Sequence, residues 1–119
     1  MTTIAVVVVA VTVAINAFSG IAALLHWRPI LPGMVKAGVP ESWLTFPIGT
    51  LKTAGAAGLL AGLLVQLPAL VAAAAIGLVL FFVCALYTHV RAADFTVQFF
   101  LAVFFLAMAC ASLVFTLTA

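Results

Sequence analysis

Apolar residues run along this chain in four long segments, and short stretches between them hold most of the charged side chains. The segments cover roughly residues 3–25, 47–66, 68–90 and 95–118. Each is long enough for a membrane-spanning helix, which needs about 20 apolar residues. Small or polar residues recur in each at helical spacing, as Thr12, Asn16 and Gly20 do in the first. Such stripes are typical of helix contacts in lipid. The pattern predicts an all-α, integral membrane four-helix bundle with antiparallel transmembrane helices.

The composition excludes an ordinary soluble domain. Of 119 residues, 69% are hydrophobic and only 5% are charged, whereas a soluble domain has about 25% charged residues. The length leaves no room for a second domain, so residues 1–119 are predicted to form a single transmembrane domain. The apolar start has no Lys or Arg before it and is longer than a signal-peptide core, so we expect a retained helix. A net charge of +2 is too small to indicate nucleic acid as a partner.

The charged residues fall in or beside two of the three connections. They are Arg28, Lys36, Glu41, Lys52, Arg91 and Asp94. Two spans separate these connections, so both lie on the same side of the membrane. Because positively charged loops stay in the cytoplasm, the charged loops are predicted to be cytoplasmic and both termini outside.

The stretch "CALYTHVRAADF", residues 84–95, gathers most of the candidate chemistry. A helix C-terminus favours positive charge, and the next N-terminus favours an acidic cap. Arg91 and Asp94 fit those roles, with Asp94 expected to cap the fourth helix. The rule does not explain His89, which lies at the same membrane level as His26. We therefore predict a polar pocket mouth at this end.

The candidate catalytic residues are His89 as the acid–base group, Lys52 or Arg91 as the anion stabiliser, and Asp94 or Glu41 as the orienting carboxylate. The candidate ligand-binding residues are Asn16, His26, Arg91 and Gln98. Structural alternatives stay open for these residues. Asn16 would form an interhelical hydrogen bond, and Lys52 would pair with a carboxylate or extend to the surface.

Two other kinds of site find little support in the sequence. His26 and His89 are too few to indicate a metal site. Cys84 and Cys110 are expected to be small buried side chains, with a redox pair or a disulfide as the alternative.

Three stretches carry a family resemblance: "INAFSG", "GVPESWLTFPIGTLKTAGAAGLLAGL" and "LVLFFVCALYTHVRAADF". Together they resemble the DoxX-like family of small bacterial four-helix membrane proteins. The resemblance implies a bundle in the bacterial cytoplasmic membrane. It also implies quinone as a candidate cofactor, because a relative is described as a subunit of a quinone-linked oxidase or thiosulfate:quinone oxidoreductase. It implies no catalytic role for the matching positions, which are Asn16, Gly20, Lys52, Gly55, Gly62, His89, Arg91 and Asp94.

Three functions fit these observations. In the first, the bundle binds a lipophilic molecule, which is quinone-like or a lipid, or it is an accessory subunit of a membrane redox complex. The binding hypothesis predicts a cavity near Asn16, Lys52 and His89. Alternatively, it is an isomerase or hydrolase acting on a lipophilic substrate. In the third hypothesis it is a structural or assembly subunit, with the G-x-x-x-G of Gly58 and Gly62 contacting a second protomer or a partner. The lipid bilayer is a partner in each case, and a homo-oligomer or a redox complex is a further candidate.

Overall fold

The computed structural model describes residues 1–118, and four long helices packed side by side dominate it. The described helices are α1 Thr3–Leu24, α2 Leu31–Ala37, α3 Thr50–Leu64, α4 Pro68–Arg91 and α5 Val97–Thr118. The body measures 40 × 24 × 18 Å, and a bilayer with its head groups is about 40–45 Å thick. Around the bundle the order is α1, α3, α4, α5 and back to α1, so neighbouring helices are antiparallel. The prediction of an all-α four-helix bundle is confirmed.

Four helical segments of the described chain are long and apolar enough to cross a membrane. They are Thr3–Leu24, Glu41–Leu64, Pro68–Arg91 and Val97–Thr118. The chain is therefore a multi-pass membrane protein.

The second span starts with irregular turns that the sequence did not reveal. A 3₁₀ turn at Glu41–Leu44 and a π-type turn at Thr45–Gly49 precede α3. Phe46 is extended, with φ −142° and ψ 132°, as is favoured immediately before a proline. Pro47 consequently lies in this turn, before α3 begins at Thr50.

Four helices end in the same way, with a left-handed residue just past the last turn. These residues are His26 (φ 51°), Gly38 (φ 71°), Gln66 (φ 54°) and Ala93 (φ 53°). At each end two backbone N–H groups bond back to carbonyls of the last turn, as in a Schellman motif. Glycine occupies only one of these positions. At the other three positions a residue with a side chain adopts the left-handed backbone conformation, which is unfavourable for L-residues by about 1–2 kcal/mol.

The centre of the bundle combines apolar side chains with a narrow polar strip. The apolar core consists of Val9, Leu59, Val71, Ala75, Leu78, Phe82 and Ala109. Thr12 and Asn16 of α1 and Ser112 of α5 are fully buried beside it, and the hydroxyl oxygens of Thr12 and Ser112 lie 2.8 Å apart. Exposed large side chains such as Phe18 and Phe100 face outward, toward lipid.

The glycines of α3 face α4 within the same chain. A Cβ on Gly62 would lie 2.6 Å from Val71 Cγ2, and one on Gly55 would lie 2.5 Å from Leu78 Cδ2. Gly58 approaches Ala74 at 3.0 Å by the same measure. The G-x-x-x-G motif is therefore used for close packing of α3 on α4. A contact of this motif with a second protomer or a partner stays a prediction.

Candidate functional site

Three groups of polar side chains lie toward the charged end of the bundle. His89 and Asp94 form one group, at the exit of α4. His26 and Glu41 belong to the second, at the exit of α1. Lys52 forms the third, inside the bundle on α3. The sequence placed all five residues on one side of the membrane, but it did not indicate which would touch.

His89 and Asp94 form a hydrogen-bonded pair. His89 Nδ1 lies 2.9 Å from Asp94 Oδ2, and the side chains are only 15% and 1% exposed. The other ring nitrogen, Nε2, has no hydrogen-bond partner among residues 1–118, and the ring packs edge-on against Phe99 at 6.4 Å between centroids. An ionised carboxylate only accepts, so Nδ1 carries a proton, and in the neutral imidazole Nε2 presents a lone pair. The pair is therefore an oriented base.

The carboxylate of Asp94 is held by hydrogen bonds from Thr96, and it does not cap α5 directly. Its Oδ1 accepts a hydrogen bond from the Thr96 hydroxyl at 2.7 Å and from the Thr96 N–H at 3.3 Å. Since α5 begins at Val97, the predicted role of Asp94 as the helix cap is wrong; it shapes the turn before the helix. The hydrogen bond from the Thr96 hydroxyl is the main cause that holds the pKa of Asp94 below its usual value.

His26 links two segments of the chain. Its Nδ1 lies 3.0 Å from Glu41 Oε2, and its Nε2 lies 2.9 Å from the Thr45 hydroxyl oxygen. The histidine stands at the left-handed end of α1, whereas its two partners belong to the turns before α3. Unlike the first pair, this group is partly open to its surroundings, with His26 31% and Glu41 60% exposed.

Lys52 points between the helices. Its Nζ donates to the hydroxyl of Ser19 at 2.9 Å, and it lies 5.4–5.8 Å from the centroids of three phenylalanine rings. These rings are Phe81, Phe82 and Phe105. Aromatic faces attract a cation at this range. In the described residues no carboxylate lies within 4.0 Å of Lys52, because each pairs with a histidine. The ion pair considered for Lys52 is therefore not formed.

Asn16 and Thr53 place two further polar atoms in the interior. Asn16 is fully buried, and its Nδ2 donates to the Thr12 carbonyl at 3.0 Å. Because a carbonyl only accepts, this bond fixes the amide orientation and leaves Oδ1 as an acceptor. Asn16 Oδ1 and Thr53 Oγ1 are buried without a partner in the part of the chain that the structure describes. The interhelical bond considered for Asn16 is replaced by a bond within α1.

Arg91 and Gln98 do not join the histidines. Arg91 is exposed at the end of α4. Gln98 lies against α2, where a Cβ on Gly33 would approach its Cγ to 2.9 Å. Gln98 thus supports the connection, and the geometry brings neither residue to Lys52 or His89.

Two cavities on the bundle lie away from these groups. One, of about 320 Å³, is lined by residues that include Leu63, Gln66 and Pro68, at the opposite end of the bundle. Another, of about 250 Å³, lies on the outer side of α3 and α4 beside Leu51 and Gly77. Neither adjoins Asn16, Lys52 or His89, where the binding hypothesis predicted a cavity. Lys52 itself is of intermediate burial.

Cys84 and Cys110 are free and exposed on the outer surface, so the prediction that they are buried is wrong. Within residues 1–118 no three side chains of His, Cys, Asp or Glu are grouped to hold a metal ion.

The sequence missed Thr45, Phe81 and Phe82. Thr45 sits in a non-helical turn, so no periodicity marks it. Phe81 and Phe82 are two of ten phenylalanines in the chain, and most apolar positions face lipid, so nothing in the pattern selects them. Phe105, in contrast, lies in the stripe predicted for the last span, between Ala102 and Ala109. The stripe of small and polar residues predicted for the first span includes Ser19 as well as Thr12, Asn16 and Gly20.

Comparisons with known proteins give one match. The family model described as the DoxX-like family matches residues 7–112. Searches of curated proteins and of solved structures find no match to the chain.

Proposed function

The chain belongs to the DoxX-like family, and from that premise we propose that it binds a lipophilic molecule whose head group carries oxygen acceptors, such as a quinone. The ligand would enter from the membrane between the helices, and its head group would accept a hydrogen bond from Lys52.

The environment of Lys52 is the observation that carries the proposal. A cation inside a bundle in lipid is unfavourable unless it is paired, by about 2.5–3.5 kcal/mol at the membrane centre. Among residues 1–118 both carboxylates are bonded to histidine, and Lys52 has only the neutral hydroxyl of Ser19 as a hydrogen-bond acceptor. Since an ammonium has three N–H donors, two remain for a ligand oxygen.

The surroundings of Lys52 match the other parts of such a head group. Phe81, Phe82 and Phe105 would offer ring faces and edges to a planar ring. Asn16 Oδ1, one turn of α1 from Ser19, is a buried acceptor and would receive a hydroxyl of the reduced form. A quinone bound there would supply two-electron redox chemistry, whereas the chain would supply recognition and orientation.

We propose that the protein lies in the bacterial cytoplasmic membrane with its charged end toward the cytoplasm. Arg28, Lys36 and Arg91 all stand at that end, as the positive-inside rule favours.

A second candidate function is acid–base catalysis on a lipophilic substrate. The observation that favours it is the pair of His89 and Asp94, because Nδ1 is held by the carboxylate and Nε2 is left as a base. In that function His89 would move a proton, Asp94 would orient the ring, and a bound substrate would have to reach Nε2.

The binding proposal is tested by mass spectrometry of small molecules extracted from the purified protein. Wild type is compared with Lys52→Met, which keeps the length of the side chain and packs well against aromatic rings. Lys36→Met is the matched control, because Lys36 is an exposed lysine on α2. We expect wild type and Lys36→Met to retain the same lipophile and Lys52→Met to lose at least 90% of it, about 1.4 kcal/mol or more in binding. Equal retention in all three, or none in any, would contradict the proposal.

A further inference from the structure

The junction between α1 and α3 contains a carboxylate, an imidazole and a hydroxyl in a row. Glu41 Oε2 lies 3.0 Å from His26 Nδ1, and His26 Nε2 lies 2.9 Å from Thr45 Oγ1. The three residues come from two segments that the fold brings together, the end of α1 and the turns before α3. Both distances are those of good hydrogen bonds.

The direction of the hydrogen bonds follows from the chemistry of the groups. The ionised carboxylate of Glu41 only accepts, so His26 Nδ1 carries the hydrogen. In the neutral imidazole Nε2 then has a lone pair, and the Thr45 hydroxyl donates to it. A base is thus bonded to a hydroxyl and is itself oriented by a carboxylate, which is the arrangement that activates a hydroxyl nucleophile.

We propose that Glu41, His26 and Thr45 form a nucleophilic site that transfers the acyl group of a membrane-lipid carboxylic ester to water. Thr45 Oγ1 bonds to the ester carbonyl carbon while its proton passes to His26 Nε2. The carbon–oxygen bond to the alcohol breaks, and the alcohol leaves with that proton. Water then attacks the acyl-threonine with His26 again as the base, which releases the carboxylic acid and restores Thr45. Glu41 is a positioning residue, since it acts through His26.

The location of the site indicates a lipid as the substrate. Thr45 is exposed, and so are its neighbours Trp43 and Phe46, at 43% and 63%. Aromatic side chains at a span end lie at the level of the lipid head groups. Arg28, two residues after His26, is also exposed and would attract an anionic head group. The Thr45 hydroxyl therefore lies at the membrane depth at which lipids have their polar groups.

The same three side chains also hold the end of α1 against the start of the second span. A purely structural role would make them important for stability without making Thr45 reactive. The test must therefore measure the reactivity of the hydroxyl itself and must follow folding separately.

The test is covalent labelling of the full-length protein in detergent micelles by an alkyl fluorophosphonate. In this reaction a bond forms between the hydroxyl oxygen and phosphorus, fluoride leaves, and the proton goes to the histidine. We expect peptide mapping to find the adduct on Thr45 in wild type. Thr45→Ser, which keeps the hydroxyl, is expected to be labelled at a comparable rate.

Removal of either reacting group is expected to stop the labelling. Thr45→Val and His26→Gln should be labelled at least about 100-fold more slowly, the lower range for a general base. Glu41→Gln should be slower than wild type, and Glu41→Asp should recover part of the rate. Thr88→Val is the control, because Thr88 is a hydroxyl at the same end that bonds only to its own helix, at the Cys84 carbonyl. It should be labelled like wild type.

Folding is followed in each variant by its thermal unfolding midpoint in the same detergent. Failure of a folded wild type to be labelled would overturn the proposal. Labelling of folded Thr45→Val at the wild-type rate would overturn it as well. If Thr45→Val is unfolded, the comparison rests on Thr45→Ser against His26→Gln, and equal rates in those two would overturn it.

Discussion

Substitution of glycine by alanine should lower the stability of the bundle at Gly20 but should keep or raise it at Gly77. A Cβ on Gly20 would lie 2.5 Å from Thr53 Oγ1, 2.9 Å from the Thr53 backbone nitrogen and 3.1 Å from Lys52 Cβ. A Cβ on Gly77 would meet nothing within 4 Å in the described residues. Both glycines lie inside long helices, so they differ mainly in packing.

The distances give the size of the effect. Unstrained contacts between heavy atoms are about 3.5–4.0 Å, so Gly20→Ala requires α1 and α3 to separate by about 1 Å. Because one of the obstructing atoms is backbone, a change of rotamer does not relieve the clash. Overpacking of this kind destabilises by about 1–3 kcal/mol. Gly77→Ala is expected to be neutral or to stabilise by up to about 1 kcal/mol, since alanine is the better helix former.

The assay is equilibrium unfolding in dodecyl maltoside micelles titrated with SDS, followed by tryptophan fluorescence. We expect Gly20→Ala to unfold at a lower SDS fraction than wild type and Gly77→Ala at the same or a higher fraction. If Gly20→Ala is as stable as Gly77→Ala, α1 and α3 do not pack as closely as described, and the position of Lys52 against Ser19 is wrong as well.

Two further predictions concern the turn between α4 and α5. Ala93→Gly should raise the free energy of unfolding by up to about 1 kcal/mol in the same titration, because Ala93 has a φ of 53° that glycine adopts without strain; a loss of stability would contradict the left-handed geometry. Asp94 has a lowered pKa, mainly through its hydrogen bond from the Thr96 hydroxyl, so it stabilises the fold above the unfolded-state pKa of about 3.9. That contribution should be lost as the pH falls through the lower pKa of the folded protein. Asp94→Asn should be less stable than wild type at pH 7, and the difference should shrink on acidification; a difference that is independent of pH would refute the assignment.

The sequence predicted the architecture well because the physical signals for it are local. A continuous apolar segment of about 20 residues specifies a span whatever its neighbours are. Small or polar residues repeated at helical spacing specify the contact side of a helix. For that reason the sequence identified the stripe of α1 correctly, and Thr12, Asn16 and Gly20 are all buried.

The pairing of the polar groups was not predictable in the same way. Two carboxylates and two histidines at one membrane level allow several combinations, and only the packing of the turns decides among them. Glu41 lies beside His26 because the turns before α3 fold back on the end of α1. Asp94 lies beside His89 because the left-handed Ala93 reverses the chain there. These are backbone conformations of non-glycine residues, which no residue type signals.

The sequence also could not show what surrounds Lys52. In a water-soluble protein three aromatic residues around one lysine would stand out, but a membrane bundle places phenylalanine on every side. The contacts of Phe81, Phe82 and Phe105 with Lys52 depend on the rotation of α4 and α5 about their axes. That rotation is set by close contacts such as that of Gly55 with Leu78, which require the assembled structure.

Photo-crosslinking with an azido-quinone in membranes shows whether a lipophilic ligand binds beside Lys52. The adducts are mapped by mass spectrometry of peptides, with excess unmodified quinone as competitor. We expect adducts near Ser19 on α1, Phe82 on α4 and Phe105 on α5. These adducts should be suppressed by the competitor and should be absent in Lys52→Met. Adducts only on outward residues such as Phe18 and Phe100, unaffected by competitor and by Lys52→Met, would contradict it.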